Sequence, residues 1–201
     1  MYFKKRSLDL LLILLFFPII LLIIILLIFI LFVFTWQNPF FIQERTGKNK
    51  IIFKLIKFKT MNDVRDQNNN LLSDDKRVTK IGKFLRKTSL DELPTIINII
   101  KGDMSIVGPR PLLKEYLILY DNYQLKRFNV LPGLTGLAQI NGRNSISWKQ
   151  KFKYDVEYVE NQSIFLDLII ILKSIKIVLI RENINSSIRI GSDKFMGNDY
   201  E

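Results

Sequence analysis

Residues 10–34 read LLLILLFFPIILLIIILLIFILFVF, with no charged side chain from Leu10 to Phe34. At about 25 residues the run exceeds the roughly 20 that a helix needs to cross a bilayer, so a membrane helix is expected at the start of the chain. Lys4, Lys5 and Arg6 precede it, as they would in a secretory signal. The run is too long for a signal core, however, and no small-residue cleavage site follows Phe34. Basic residues also lie beyond it, at Arg45, Lys48, Lys50, Lys54, Lys57 and Lys59. Positive charge favours the cytoplasmic face, so both ends prefer the same side, which one straight span cannot satisfy. Pro18 removes a helix hydrogen bond inside the run and can bend the helix back. A bent hairpin entering and leaving by one face fits these residues, and so does a tilted span with a tolerated proline.

The remainder of the 201 residues suffices for one domain. Nearly half of the chain is apolar, yet its net charge is +11. Such a balance suits a protein resting on an anionic bilayer, although a nucleic-acid binder carries similar charge. No reading helix or aromatic-basic motif supports nucleic acid. The chain has no Cys and no His, which excludes disulfides, thiolate nucleophiles and the commonest general base. Chemistry at neutral pH then rests on Asp, Glu, Lys, Arg, Ser, Thr or Tyr. Mg²⁺, held by carboxylates and substrate phosphates, is the natural metal for that set.

Residues 40–63 alternate short apolar stretches with Lys and predict one or two strands near the membrane surface. The Asn-rich stretch 63–75 predicts a loop, and residues 78–87 space Ile81, Phe84 and Leu85 as a helix does. Ser89-Leu90-Asp91-Glu92-Leu93-Pro94 opens a further helix that Gly102 would end. Residues 112–128, 147–160 and 165–181 also read as helices, and the tail after Glu182 is polar. The expected class is mixed α/β, mainly helical. A membrane segment over 1–36 precedes one small domain over 37–182 and a polar tail over 183–201.

Four constellations could carry chemistry. Ser89-x-x-Glu92 matches a capping box, and acids suit a first helical turn. The pair Asp91-Glu92, set among Arg86, Lys87 and Lys101, could equally supply a carboxylate that attacks phosphorus and forms an acyl phosphate. Arg110, between Pro109 and Pro111, has little backbone freedom, which suits either a diphosphate clamp or a plain surface turn. Gly133 and Gly136, with Gly142 and Arg143, would let backbone amides approach an anion, although the spacing is not that of a P-loop. Asp167, alone in an apolar helix, needs a partner: a basic residue in a salt bridge, or a cation.

In order along the chain, several stretches resemble the bacterial sugar transferase family of monotopic phosphoglycosyl transferases. They are Lys57-Phe58-Lys59-Thr60-Met61, Leu71-Leu72-Ser73-Asp74, Ser89-Leu90-Asp91-Glu92-Leu93-Pro94 and Lys101-Gly102-Asp103-Met104-Ser105. The likeness continues through Val107-Gly108-Pro109-Arg110-Pro111, Pro132-Gly133-Leu134-Thr135-Gly136, Gln139 to Asn144, Tyr158-Val159 and Leu166-Asp167-Leu168. It is nearest to the small members made of the catalytic domain alone.

The resemblance implies a re-entrant N-terminal helix broken at Pro18, with amphipathic helices on the cytoplasmic face of the bacterial inner membrane. Asp91 would be the nucleophile that attacks the β-phosphate of a UDP-sugar, releases UMP and holds the phosphosugar for a polyprenyl phosphate. Glu92 would complete the dyad, with Asp91 and Glu92 binding Mg²⁺. Arg110, Arg86, Arg143 and Lys59 are implied phosphate-binding residues. Asp167 is implied in substrate contact or ion pairing. An N-acetylated amino sugar is the expected donor sugar, and self-association is left open. Departures from the family pattern fall at Phe17, Thr46, Phe128 and Leu137, off the carboxylate dyad and the Pro-Arg-Pro motif. From another class, a non-catalytic basic membrane tether would share the charge and the apolar run but would not require Asp91.

Overall fold

Unbroken Leu, Ile and Phe make the first element a long helix, α1, spanning Tyr2–Thr35. The computed structural model describes residues 2–142, 145–180 and 194–198. Helical backbone continues through Pro18, so the expected bend residue lies inside one helix rather than between two. Ile13 and Ile20 of α1 pack on the cluster formed by Phe53, Leu55, Ile99 and Met104. Farther along, Leu27 and Leu31 pack on Phe58 and Leu85. The opposite face, including Leu14, Leu15, Leu22 and Phe29, is exposed.

Strands β1, Phe40–Thr46, and β2, Ile52–Phe58, pair antiparallel from Phe40↔Phe58 to Thr46↔Ile52. This is the strand pair that the alternation at 51–59 predicts. Phe53 and Leu55 face one cluster, whereas Phe58 faces the second half of α1. A loop follows, then the single turn α2, Asp74–Arg77, and α3, Lys80–Thr88. The Thr79 hydroxyl accepts from the Gly82 amide and caps α3.

The next segment departs from expectation. Ser89 is left-handed, with φ 57°, and its side chain makes no capping bond. Leu90–Thr95 forms a 3-10 helix, and only Ile96–Lys101 is α-helical, as α4. The expected capping box does not form because Ser89 ends α3, while the Glu92 carboxylate is drawn to cations elsewhere. Gly102, with φ 92°, ends α4 as expected.

Strand β3, Ser105–Val107, leads into the Gly-Pro-Arg-Pro turn and pairs in parallel with β4, Gly133–Thr135. The predicted helix over 112–128 is instead two 3-10 segments, Lys114–Leu119 and Gln124–Asn129. Between them the Asp121 carboxylate accepts from the Gln124 amide, and Tyr120 is buried against Phe128 and Phe152. That tertiary packing overrides the helical spacing. Helices α5, Leu137–Ile140, α6, Trp148–Glu160, and α7, Ile164–Ile180, complete the body. A capping box between Ser147 and Gln150 starts α6. The polar tail also reaches the core, because Phe195 is buried among Tyr116, Tyr120, Trp148 and Phe152.

Candidate active site

Two buried side chains fix the turn that carries the acidic pair. The Asn98 amide oxygen accepts from the Ile56 amide at 3.0 Å, and its nitrogen donates to the Lys54 carbonyl at 2.8 Å. The Thr95 hydroxyl donates to the Ile56 carbonyl at 2.9 Å. These bonds dock residues 95–98 on β2 and leave Asp91 and Glu92 beside Lys57.

Glu92 Oε1 accepts from Lys57 Nζ at 2.7 Å and from Arg110 Nη2 at 2.6 Å. Burial alone would raise the Glu92 pKa, but Arg110 and Lys57 outweigh it and hold the carboxyl well below the usual range. The Glu92 charge in turn raises the pKa of Arg110. Asp91 is different: among the described residues its carboxylate has no hydrogen bond or ion pair. Burial first, and then the Glu92 charge, push its pKa up to about 6 against the pull of Lys57, Arg110 and Arg86. The pair thus divides into a clamped anion and a carboxylate with free lone pairs.

The Arg110 loop is held from behind. Its carbonyl accepts from Arg127 Nη2 at 2.6 Å, and Arg127 pairs with buried Asp155 at 2.8 Å. Glycine lets the two short strands close in. A Cβ on Gly133 would lie 2.0 Å from the Gly108 nitrogen, and one on Gly136 would lie 2.2 Å from the Gly108 oxygen. Gly133 and Gly136 therefore admit the backbone of the Arg110 turn.

The structure brings Asp91, Glu92, Arg110 and Arg86 together. Arg86 acts on Asp91 through its charge and donates to the Thr60 hydroxyl at 2.9 Å. Lys59 turns elsewhere, pairing with Asp63 at 2.6 Å and with Gln37 at 3.1 Å. Lys57, which the sequence reading did not single out, lies beside the dyad instead. The strand signal was available, since Phe53, Leu55 and Lys57 alternate along one face of β2. Arg143 lies outside the described residues. Asp167 is in a salt bridge: it accepts from Lys5 Nζ at 2.6 Å and from the Tyr158 hydroxyl at 2.7 Å.

The chain is similar over most of its length to known proteins. The model of the bacterial sugar transferase family matches residues 1–181. The sugar transferase EpsL of Bacillus subtilis is 51% identical over 158 residues, 79% of this chain and 78% of that protein. The exopolysaccharide production protein ExoY of Rhizobium meliloti is 42% identical over 156 residues, 69% of each chain. The UDP-glucose:undecaprenyl-phosphate glucose-1-phosphate transferase of Xanthomonas campestris is 38% identical over 152 residues, 69% of this chain but 31% of the longer relative.

Proposed function

Because the chain belongs to the bacterial sugar transferase family, we propose that it moves a sugar 1-phosphate from a UDP-sugar to polyprenyl phosphate with Asp91 as nucleophile. The observation that carries this reading is the unbonded Asp91 carboxylate beside a Glu92 already neutralised by Lys57 and Arg110. An Asp91 oxygen attacks the β-phosphorus, and the bond from that phosphorus to the bridging oxygen breaks. UMP leaves with the electron pair, and the phosphosugar stays on Asp91 as an acyl phosphate. An oxygen of the polyprenyl phosphate then attacks the same phosphorus. The bond to Asp91 breaks, its carboxylate is restored, and polyprenyl-diphosphate-sugar is released. Arg110 and Arg86 steady phosphate oxygens in both steps.

Mg²⁺ fits this donor set only as a metal shared with substrate. Among the described residues no three carboxylates cluster, and the chain has no His or Cys. Asp91 and the second oxygen of Glu92 could hold a hard cation whose other positions go to water and phosphate. Bound there, Mg²⁺ would supply positive charge against the leaving UMP.

The membrane arrangement follows from what α1 touches. Near its start Lys5 pairs with Asp167, Arg6 donates to the Ile99 and Ile100 carbonyls, and Asp9 accepts from the Ile106 amide. Near its end Leu27 and Leu31 are buried against the same domain. Both ends rest on one body, which supports re-entry by a single face, with Pro18 at the deepest part, over a crossing helix. The exposed stripe Phe165, Leu168, Leu172, Ile175 and Leu179 on α7 supports a second, surface-lying contact with lipid. The side of the membrane is the cytoplasmic one, where the UDP-sugar is made.

Release of UMP from a panel of UDP-hexoses and UDP-N-acetylated amino sugars, with polyprenyl phosphate and Mg²⁺, tests the function. Wild-type protein is expected to release UMP from one preferred donor and Asp91→Asn from none. The amino-sugar expectation stands against the glucose in the Xanthomonas relative's name, and the preferred donor decides between them. Equal release by the two proteins would remove Asp91 from its role.

A further inference from the structure

Arg45 closes β1 far from the acidic pair in sequence, yet the fold brings it to the Arg110 turn. Thr46 N donates to the Leu112 carbonyl at 3.2 Å, and Arg45 bridges to Leu113. Its own guanidinium is poorly served. Nη2 donates to Gln43 Oε1 at 2.6 Å, and Nη1 reaches the Pro111 carbonyl only at 3.5 Å. Nε is buried with no acceptor, and among the described residues Arg45 has no salt bridge. The one carboxylate of the dyad that is paired, Glu92, already serves Arg110 and Lys57.

We propose that Arg45 is a second guanidinium of the donor site, which with Arg110 takes the phosphate oxygens of the nucleotide diphosphate. A part-buried guanidinium whose buried Nε–H has no acceptor, with the charge of a second guanidinium acting on it, is an incomplete arrangement that an oxyanion completes. Burial and the like charge of Arg110 pull the Arg45 pKa down to about 10, which agrees with a cation lacking its counter-ion. The assignment rests on the phosphosugar-transfer reading, and the separate UDP and acceptor responses below distinguish the donor diphosphate from the lipid phosphate.

UDP serves as a sugar-independent probe of this site in the detergent-held full chain. For Arg45→Gln without ligand, the Tm is expected to equal or exceed that of wild type, because a part-buried charge with no counter-ion is removed. The UDP concentration that gives half of the thermal stabilisation should rise tenfold or more, with the acceptor concentration for half-maximal rate unchanged. Arg45→Lys, which keeps the charge but loses the planar fork, should recover part of the UDP response. A lowered Tm without ligand, together with an unchanged UDP midpoint, would overturn the proposal and make Arg45 a support for Pro111. So would a shift confined to the acceptor, which would assign Arg45 to the lipid phosphate. Absence of UMP release by wild type from every donor would instead count against the transfer reading, while a UDP response lost in Arg45→Gln would still uphold the anion site.

Discussion

Asp91 and Glu92 are neighbours in sequence with opposite electrostatic fates, and the difference lies in two cations. Lys57 and Arg110 bind Glu92, leaving Asp91 half-buried beside a fixed negative charge. Protonation of Asp91 near pH 6 should therefore set the acid limb of the UMP-release profile. In Glu92→Gln that limb should move to lower pH, because the repelling charge is gone and Lys57 and Arg110 are free to favour ionised Asp91. A limb that stays in place would show that another group sets it. The sign for stability is the reverse of an ion-paired acid. Folding raises this pKa, so ionised Asp91 opposes folding above about pH 6. Thermal unfolding of Asp91→Asn should give a higher Tm than wild type at pH 8, by a margin that shrinks as the pH falls from 6 toward 4. The sequence singled out the pair, but its division into a clamped and an unbonded carboxylate was not legible there. A local pattern offered a cap from Ser89 to Glu92, whereas the left-handed Ser89 and two distant cations decided otherwise.

At the scale of elements, the β1–β2 hairpin and helices α3, α6 and α7 follow the alternation and spacing of their apolar residues. What the pattern could not show is where irregular backbone is imposed by packing. Residues 112–128 carry helical spacing, yet burial of Tyr120 and Phe128 in an aromatic cluster splits them into two 3-10 segments. The polar tail likewise concealed Phe195, whose ring is buried among aromatic side chains from 116 to 152. Lys57 and Lys59 share strand parity, and only the end of β2 at Phe58 explains why they diverge. The glycines of the β3–β4 contact give a direct test of close backbone approach. Gly133→Ala would place a methyl against the Gly108 backbone and should lower the Tm by roughly 5–10 °C, with loss of activity as the Arg110 turn shifts. Gly102→Ala meets open space and should cost only about 1 kcal/mol for its positive φ. Equal effects from the two, in thermal unfolding, would contradict the packing account.

For the whole molecule, a net charge of +11 and one long apolar helix suit the proposed partners, a lipid surface and anionic substrates. Both ends of α1 are bound to the domain that carries Asp91, and the proposed re-entry would seat the site at the membrane surface rather than tether it near there. The absence of cysteine makes the topology measurable with single introduced thiols. Ser7→Cys and Asn49→Cys should react with an impermeant maleimide from the same side in oriented vesicles, whereas reaction from opposite sides would mean a crossing helix. A covalent intermediate accounts for how a soluble and a lipid-held anion can use one basic site in turn. The most direct test of that claim is the intact mass of the protein after incubation with its UDP-sugar and Mg²⁺ in the absence of polyprenyl phosphate. Wild type should gain the mass of one sugar phosphate, lose it again when polyprenyl phosphate is added, and show no gain as Asp91→Asn. A wild-type protein that turns over yet gains no mass, or an Asp91→Asn protein that gains it, would contradict Asp91 as the nucleophile.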